Sequence, residues 1–186
     1  MDQTLVLENS SLVARRVGAV VLGTALVAAA SQVAIPLPGT PVPMTLQPLA
    51  VLIVGGLLGP GLGAASLALY LVLGAAGLPV FTPVGLPGIA RLLGPTGGYL
   101  LAYPMAASVV GRLATPGGGV ARLALATLAG LLLIHVGGLA QLALLTGSVF
   151  TAARFGTAPF LVGDLLKLVF AILLLRPTIR PVRARL

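Results

Sequence analysis

Charged residues are scarce in this 186-residue chain, and cysteine and tryptophan are absent. Without cysteine there can be no disulfide bond and no thiolate metal site, and the redox compartment is left undefined. Only 8% of the residues are charged, whereas 58% are hydrophobic. A soluble domain of this size leaves too much of its area outside to hide so much apolar surface. The composition therefore predicts an integral membrane protein.

Several catalytic signatures are also missing. The stretch GPTGG at residues 94–98 is followed by no Lys-Ser or Lys-Thr, so it is not a phosphate loop. Neither a G-x-S-x-G elbow nor an H-E-x-x-H motif occurs. With three acidic residues in the chain, a proton relay of several carboxylates is not available. We predict no enzyme, no cofactor and no metal site, and an intramembrane hydrolase is a remote alternative.

The fold is predicted to be an all-α membrane protein in a single domain, residues 1–186. Lipid tolerates only helices or closed barrels, because every backbone polar group must be paired. Long runs without polar alternation, such as residues 123–145, exclude a barrel. Six transmembrane helices are predicted, at residues 17–35, 46–58, 61–78, 98–112, 123–145 and 159–175. The second and third share one apolar block that Gly59-Pro60-Gly61 should break into a hairpin.

The arginines set the orientation. Basic residues near the ends of spans remain in the cytoplasm, and six spans put both termini on that side. Two arginines then lie outside, Arg91 and Arg154, and eight lie inside: Arg15, Arg16, Arg112, Arg122, Arg176, Arg180, Arg183 and Arg185. No basic stripe on a folded face suggests nucleic acid, despite the net charge of +8. The loops 36–45, 77–97 and 146–159 all fall outside, which predicts an outward-facing ligand site.

Asp164 and Lys167 are the strongest single feature, because both lie within the last predicted span. A charge at the bilayer centre costs ~2.5–3.5 kcal/mol on insertion scales. Three residues of separation place the two side chains on one helix face. They could form only an internal ion pair that holds the bundle. The alternative, which we favour, is a ligand site that offers both a donor and an acceptor.

Tyr99 opens the fourth predicted span beside Thr96-Gly97-Gly98. Free amide groups at a helix start can receive a carboxylate or carbonyl oxygen, and glycine lets a ligand approach the backbone. The competing interpretation is a plain loop-to-helix transition, with Tyr99 at the membrane interface.

Thr45 and Gln47 lie in the proline-rich segment before the second span. Prolines hold that segment extended and rigid. Gln47 could line a pocket or bond loop backbone with equal plausibility, and for Thr45 the backbone role is slightly favoured.

Three other polar residues are interpreted as structural. His135 is expected to have no second histidine, cysteine or close carboxylate and so makes a poor metal site, and a bond to a neighbouring helix is the more usual role. Gln141 lies in the same span. Two further tyrosines, Tyr70 and Tyr103, are expected at ordinary membrane-interface positions.

The first span carries pairs of small residues four apart, Ala25 with Ala29 and Ala30 with Ala34. Such faces let helices approach closely in lipid. Internal packing explains them adequately, and a docking face for another membrane subunit is the sharper alternative.

Together these stretches resemble the BioY family, the biotin-binding S components of energy-coupling-factor transporters. The resemblance rests on VPMTLQ (42–47), GLPVF (77–81), LLGPTGGYL (92–100) and GDLLK (163–167), in that order. It implies six helices, cytoplasmic termini, localisation in the cell membrane and a biotin pocket near the outer surface. It also implies a transmembrane coupling protein with two ATPase subunits as partners.

The resemblance further implies site residues. Ligand contacts map to Asp164 and Lys167, with Tyr99 and the Gln47 region close by, and the docking face maps to Ala25 and Ala29. The full set of biotin-binding candidates is Asp164, Lys167, Tyr99, Gln47, Thr45, Thr96, Gly97, Gly98 and Phe81. Leu100 and Phe160 are expected to line the apolar part of the pocket along with Phe81.

One segment departs from the family pattern. The loop after GLPVF reads TPVGLPGIARLL, with Pro83 and Pro87, instead of a glycine-rich polar stretch. We therefore carry no family contact across from residues 82–91 and predict a stiffer lid. Two alternatives remain open for the whole chain: an S component for another vitamin, and a structural or assembly protein that binds no ligand.

Overall fold

A computed structural model of the protein describes residues 3–186, with side chains described from residue 10 onward. Seven α-helices account for most of the chain: α1 (Gln3–Gln32), α2 (Gln47–Ala75), α3 (Ile89–Leu93), α4 (Gly97–Leu113), α5 (Val120–Thr146), α6 (Val149–Gly156) and α7 (Leu161–Arg183). A short 3-10 helix, Ala158–Phe160, precedes α7. The predicted all-helical class is confirmed, with one small addition described next.

A two-stranded antiparallel ribbon joins α1 to α2. Strand β1 (Ala34–Ile35) pairs with β2 (Met44–Thr45), with Ala34 opposite Thr45. The prolines between and around these strands limit the ribbon to two residues a side, because proline has no N–H to donate. The ribbon fixes the start of α2, where Gln47 and Thr45 lie.

The chain reverses in the middle of α2. Gly59 has φ +80° and ψ −179°, a conformation that glycine adopts readily, and Pro60 follows. The Gln47 side-chain nitrogen donates to the Tyr70 hydroxyl at 2.6 Å, although a straight helix would separate these residues by ~35 Å. α2 is therefore a hairpin of two arms, as the Gly-Pro-Gly signal predicts.

The two ends of the bundle differ in chemistry. We call the end with the β1–β2 ribbon, residues 76–96 and α6 the loop end. Thr40 donates to the Phe155 carbonyl there at 2.7 Å, which ties the ribbon to α6. The opposite end, with the α2 turn at Gly59, the α4–α5 loop and the C-terminal part of α7, is the arginine end.

Arg183 stabilises the α2 turn at the arginine end. Its guanidinium donates to the Gly56 carbonyl at 2.6 and 3.0 Å and to the Gly111 carbonyl at 2.9 Å. Carbonyls freed by a helix break need such partners when water is excluded. A Cβ at Gly111 would lie 2.4 Å from the Gly59 carbonyl carbon, so α4 packs directly on the turn.

Apolar side chains cover the outside as well as the interior. Leu22, Leu144, Phe150 and Val162 are more than 70% exposed, and a surface this apolar belongs in lipid. Four helical stretches among the described residues are long and apolar enough to cross a membrane: Ser10–Gln32, Gln47–Ala75, Val120–Thr146 and Val149–Arg183. The protein is an integral membrane protein.

Candidate functional site

Asp164 and Lys167 form a buried ion pair on α7. Lys167 Nζ lies 2.9 Å from Asp164 Oδ1, and the two residues are 6% and 4% exposed. They occupy the first two turns of α7, at the loop end. A buried charge is tolerated when it is paired and its other valences are satisfied. The predicted pairing is thus present, and both side chains also face a cavity.

His135 completes this charged group from α5. Its Nε2 lies 2.7 Å from Asp164 Oδ2, and its Nδ1 lies 3.4 Å from the Thr157 hydroxyl. With Asp164 ionised, Nε2 carries the hydrogen and Asp164 accepts it. The expected bond to a neighbouring helix is confirmed. The expectation that His135 has no close carboxylate was wrong, because the packing of α5 against α7 brings it to Asp164. The sequence interpretation also missed that His135 lines the same cavity as Asp164 and Lys167.

A second polar group lies on α2 and β2. Gln47 donates to Tyr70, and Thr45 Oγ1 lies 3.1 Å from Gln47 Oε1. Both Gln47 and Thr45 line the cavity, with 4% and 9% exposure. The expectation for Tyr70 was wrong: the residue is fully buried inside the protein rather than at a lipid interface. The α2 hairpin causes this, because it folds the second arm against the first.

Tyr99 lies at the start of α4 and is fixed by two glycines. Its hydroxyl donates to the Gly156 carbonyl at 2.6 Å. A Cβ on Gly138 would lie 2.1 Å from the Tyr99 ring, and one on Gly156 would lie 2.3 Å from its hydroxyl. Glycine at both positions therefore admits the ring. Tyr99 lines the cavity as a fixed wall whose hydroxyl is already engaged.

Arg91 is the residue that sequence reasoning missed most clearly. It is only 5% exposed, and its guanidinium donates to three loop carbonyls at 2.6–2.8 Å: Thr82, Val84 and Leu86. Burial lowers the pKa of Arg91 from its ordinary value, yet an arginine remains charged in proteins. The guanidinium holds residues 82–86 in a compact loop beside the cavity.

The cavity opens among α2, α4, α5 and α7 at the loop end. Its empty volume, including the open mouth, is ≈590 Å³. Its walls are mostly apolar, with a few directed polar groups. The lining residues are Val42, Pro43, Thr45, Gln47, Pro48, Phe81, Thr82, Arg91, Thr96, Tyr99, Leu100, Tyr103, Ile134, His135, Phe160, Asp164 and Lys167.

Two predicted residues are placed elsewhere. Gly97 and Gly98 do not line the cavity, because the backbones of Leu92 and Gly137 lie against them. A Cβ would come within 1.9 Å of the Leu92 carbonyl oxygen at Gly97 and within 2.1 Å of the Gly137 carbonyl oxygen at Gly98. Their smallness serves packing between α4, α3 and α5. Gln141 reinforces this region by donating to the Leu92 and Gly94 carbonyls.

The expectation that Tyr103 lies at the membrane interface was also wrong. Tyr103 is 2% exposed and lines the cavity one turn after Tyr99. Phe81, Leu100 and Phe160, which were expected to form an apolar lining, all line this cavity. Phe81 packs edge-on against Tyr70, with ring centroids 5.3 Å apart. The structure thus gathers seven of the nine predicted site residues around one space.

Ala25 and Ala29 lie on the exposed face of α1, away from the cavity. Thr24 and Val27 on the opposite face are buried. The small-residue pair is therefore not used to pack α1 against its own bundle.

No group of three metal-ligating side chains occurs among the residues whose side chains are described.

Comparison with known proteins gives a consistent match. The sequence model of the BioY family matches residues 3–184. A probable biotin transporter BioY from Pyrococcus horikoshii is 40% identical over 161 residues, covering 87% of this chain and 94% of that protein. A biotin transporter BioY from Thermotoga maritima is 38% identical over 151 residues, covering 81% and 88%.

A solved structure matches as well. The crystal structure at 2.1 Å of the S-component for biotin from an ECF-type ABC transporter superposes with a TM-score of 0.78. The match covers 95% of this chain and 93% of that one, at 26% sequence identity. The likeness therefore extends over the whole bundle.

Proposed function

This chain belongs to the BioY family, and from that premise we propose that it is a biotin-binding S component that captures biotin from the outer side of the membrane for uptake. Its relatives are named transporters, which supports binding and release rather than covalent chemistry.

One observation carries the proposal within this chain: the buried group of Asp164, Lys167 and His135 lines an otherwise apolar cavity. An ion pair needed only to hold helices together has no reason to face an open space. Each oxygen of Asp164 is engaged once, Oδ1 by Lys167 and Oδ2 by His135. A carboxylate has about four acceptor sites in all. Two acceptor positions on Asp164 and two N–H donors on Lys167 are therefore left for a ligand.

Biotin matches this arrangement. Its ureido ring carries two N–H donors and one carbonyl acceptor, which suit Asp164 and Lys167 respectively. Its bicyclic ring and thioether are apolar and suit the aromatic and aliphatic wall formed by Phe81, Leu100 and Phe160. Few directed polar groups in an apolar cavity is the usual design for a small-molecule site.

The remaining candidate residues fall into two groups, those proposed to contact biotin and those that hold the wall of the cavity in place. Thr45, Gln47, Thr96 and Tyr99 line the cavity and are proposed as further contacts. Gly97 and Gly98 lie behind this wall, and we assign them a role in holding α4 rather than in touching biotin.

A six-span arrangement with both termini in the cytoplasm accommodates these features. The α2 hairpin supplies two passes, and α4, with 17 residues, supplies another although it is one turn shorter than a typical span of ~20 residues. In this arrangement the chain crosses the membrane an even number of times, so both termini lie on the same side. Eight of the ten arginines then lie inside, as expected for a plasma-membrane protein.

The proposed partners are a transmembrane coupling protein and two ATPase subunits. The ECF-type S component among the structural neighbours supports this assembly. Ala25 and Ala29 on the exposed face of α1 are proposed as the docking surface, because small residues permit close helix contact in lipid.

Titration of the purified chain with labelled biotin tests the proposal. We expect saturable binding with one site per chain, competed by unlabelled biotin but not by thiamine or riboflavin. Displacement by another vitamin would assign a different S-component specificity. Absence of binding to every vitamin tested would favour a structural role for the charged group.

A further inference from the structure

A second cleft lies at the arginine end, on the opposite side of the molecule from the proposed biotin site. It lies between the C-terminal part of α7 and the α4–α5 loop and has an empty volume of ≈580 Å³ including its open mouth. Its surface is mainly polar. The lining residues are Thr115, Gly117, Gly118, Leu123, Leu175, Arg176, Ile179 and Arg180.

Two arginines one helical turn apart face this cleft. Arg176 and Arg180 are both exposed, and within residues 10–186 neither guanidinium group has a hydrogen-bond or ion-pair partner. Arg180 reaches across to the α4–α5 loop, since a Cβ at Gly117 would lie 3.4 Å from its Nη2. Like charges four residues apart repel each other by ~0.2–0.5 kcal/mol. An anion between them would remove that repulsion.

Among the side chains of residues 10–186, no carboxylate neutralises these two arginines. Its three acidic residues are Asp2, Glu8 and Asp164. Asp164 is bound to Lys167 and His135 at the loop end, and the side chains of Asp2 and Glu8 lie outside the described part of the structure. Within the described side chains, the two positive charges of this cleft are therefore left for an anion to neutralise.

The surroundings of the cleft indicate where that anion comes from. Leu173 and Leu174, three and two residues before Arg176 on α7, are 60% and 48% exposed, and Val120 at the start of α5 is 47% exposed. Polar and charged lining thus borders a surface suited to acyl chains. A molecule with a phosphate and two hydrocarbon tails fits both the polar lining and the apolar surface, whereas a free phosphate ion contacts the polar lining alone.

We propose that this cleft binds the phosphate group of an anionic phospholipid from the cytoplasmic leaflet. Two guanidinium groups one turn apart can hold a phosphate through charge-assisted, bidentate hydrogen bonds. The proposal rests on the six-span orientation, which places the arginine end at the inner interface, where anionic lipids concentrate. It does not depend on biotin being the ligand of the other cavity.

The test compares wild type with the double variant Arg176→Gln/Arg180→Gln. Both are purified in neutral detergent, supplied with equal amounts of phosphatidylglycerol and phosphatidylcholine, and analysed by native mass spectrometry for retained lipid. Arg112→Gln is the matched control, because Arg112 is exposed at the same end but does not line the cleft. We expect phosphatidylglycerol retention to fall at least fivefold in the double variant and to stay within twofold of wild type in the control.

Equal retention in all three proteins would overturn the proposal. A parallel arm replaces lipid with inorganic phosphate and follows thermal stability; equal stabilisation by phosphate, with no further gain from phosphatidylglycerol, would overturn the lipid assignment. Should the double variant lose its helical circular dichroism, Arg176→Lys/Arg180→Lys keeps the charge without the planar fork and is expected to give intermediate retention. Because the readout is retained lipid, a failure of biotin binding would leave this result interpretable.

Discussion

His135 on α5 holds the carboxylate of Asp164 on α7, with Nε2 and Oδ2 only 2.7 Å apart. Lys167 approaches the other oxygen at 2.9 Å. Asp164 is therefore fixed from two helices at once, and its position inside the cavity does not depend on its own rotamer preference alone. Such support from a neighbouring residue is what a precise binding group requires.

We predict that Asp164→Asn weakens biotin binding at least tenfold, which corresponds to about 1.4 kcal/mol. Asparagine keeps the shape but replaces one acceptor oxygen by a donor, so it can no longer accept both ureido N–H groups. Isothermal titration of the purified variant measures the effect. Arg154→Gln is the charge-changing control, because Arg154 is exposed and outside the cavity.

Lys167→Ala should also weaken biotin binding at least tenfold. It removes the donor to the ligand oxygen and leaves the Asp164 charge with His135 as its remaining partner in the described network. Helical circular dichroism should remain, because His135 still satisfies the carboxylate. Titration curves unchanged in both this variant and Asp164→Asn would remove the ion pair from the site.

His135→Phe is expected to act through Asp164 rather than through biotin directly. We predict a three- to tenfold loss of affinity, with little further loss when the substitution is added to Asp164→Asn. A double-mutant cycle on the dissociation constants checks this, since contacting residues show non-additive energies. Fully additive effects would mean that His135 meets the ligand independently.

Arg91→Gln should loosen the loop beside the cavity. Glutamine cannot donate to all three carbonyls at Thr82, Val84 and Leu86, so the compact conformation of this loop loses its main support. We expect the biotin dissociation rate to rise at least fivefold while the association rate changes little, as measured by stopped-flow release. Proteolysis between residues 82 and 88 should rise in parallel, and protection equal to wild type would contradict the assignment.

Bulky side chains on α1 should separate uptake from binding. We predict that Ala25→Phe or Ala29→Phe leaves biotin affinity within twofold but reduces uptake in cells that supply a coupling protein. The reason is that both alanines lie on the exposed face of α1 and do not line the cavity. Loss of binding as well would show that this face packs internally.

Much of this protein could be predicted from patterns along the chain. The helical class followed from long apolar runs, the α2 turn from Gly59-Pro60, and the Asp164–Lys167 pair from their three-residue spacing. These are local properties, in which neighbours in sequence are neighbours in space. The number of membrane spans stays a prediction, as does the role of each site residue.

Other features could not be read in this way, because they join distant segments. His135 looked like a lone histidine, and only the packing of α5 against α7 brings it to Asp164. Arg91 looked like an ordinary outer-loop charge, and Gly98 looked like a ligand contact, until the packing of α4 placed Gly137 against it.

The sequence by itself determined a helical membrane protein with one conspicuous ion pair within a helix, since hydrophobicity and helical periodicity act over short distances. Only the tertiary structure decided which side chains share the cavity and which glycines merely let helices approach. That decision depends on contacts across 20 to 60 residues, and no local pattern encodes the direction in which two helices face each other.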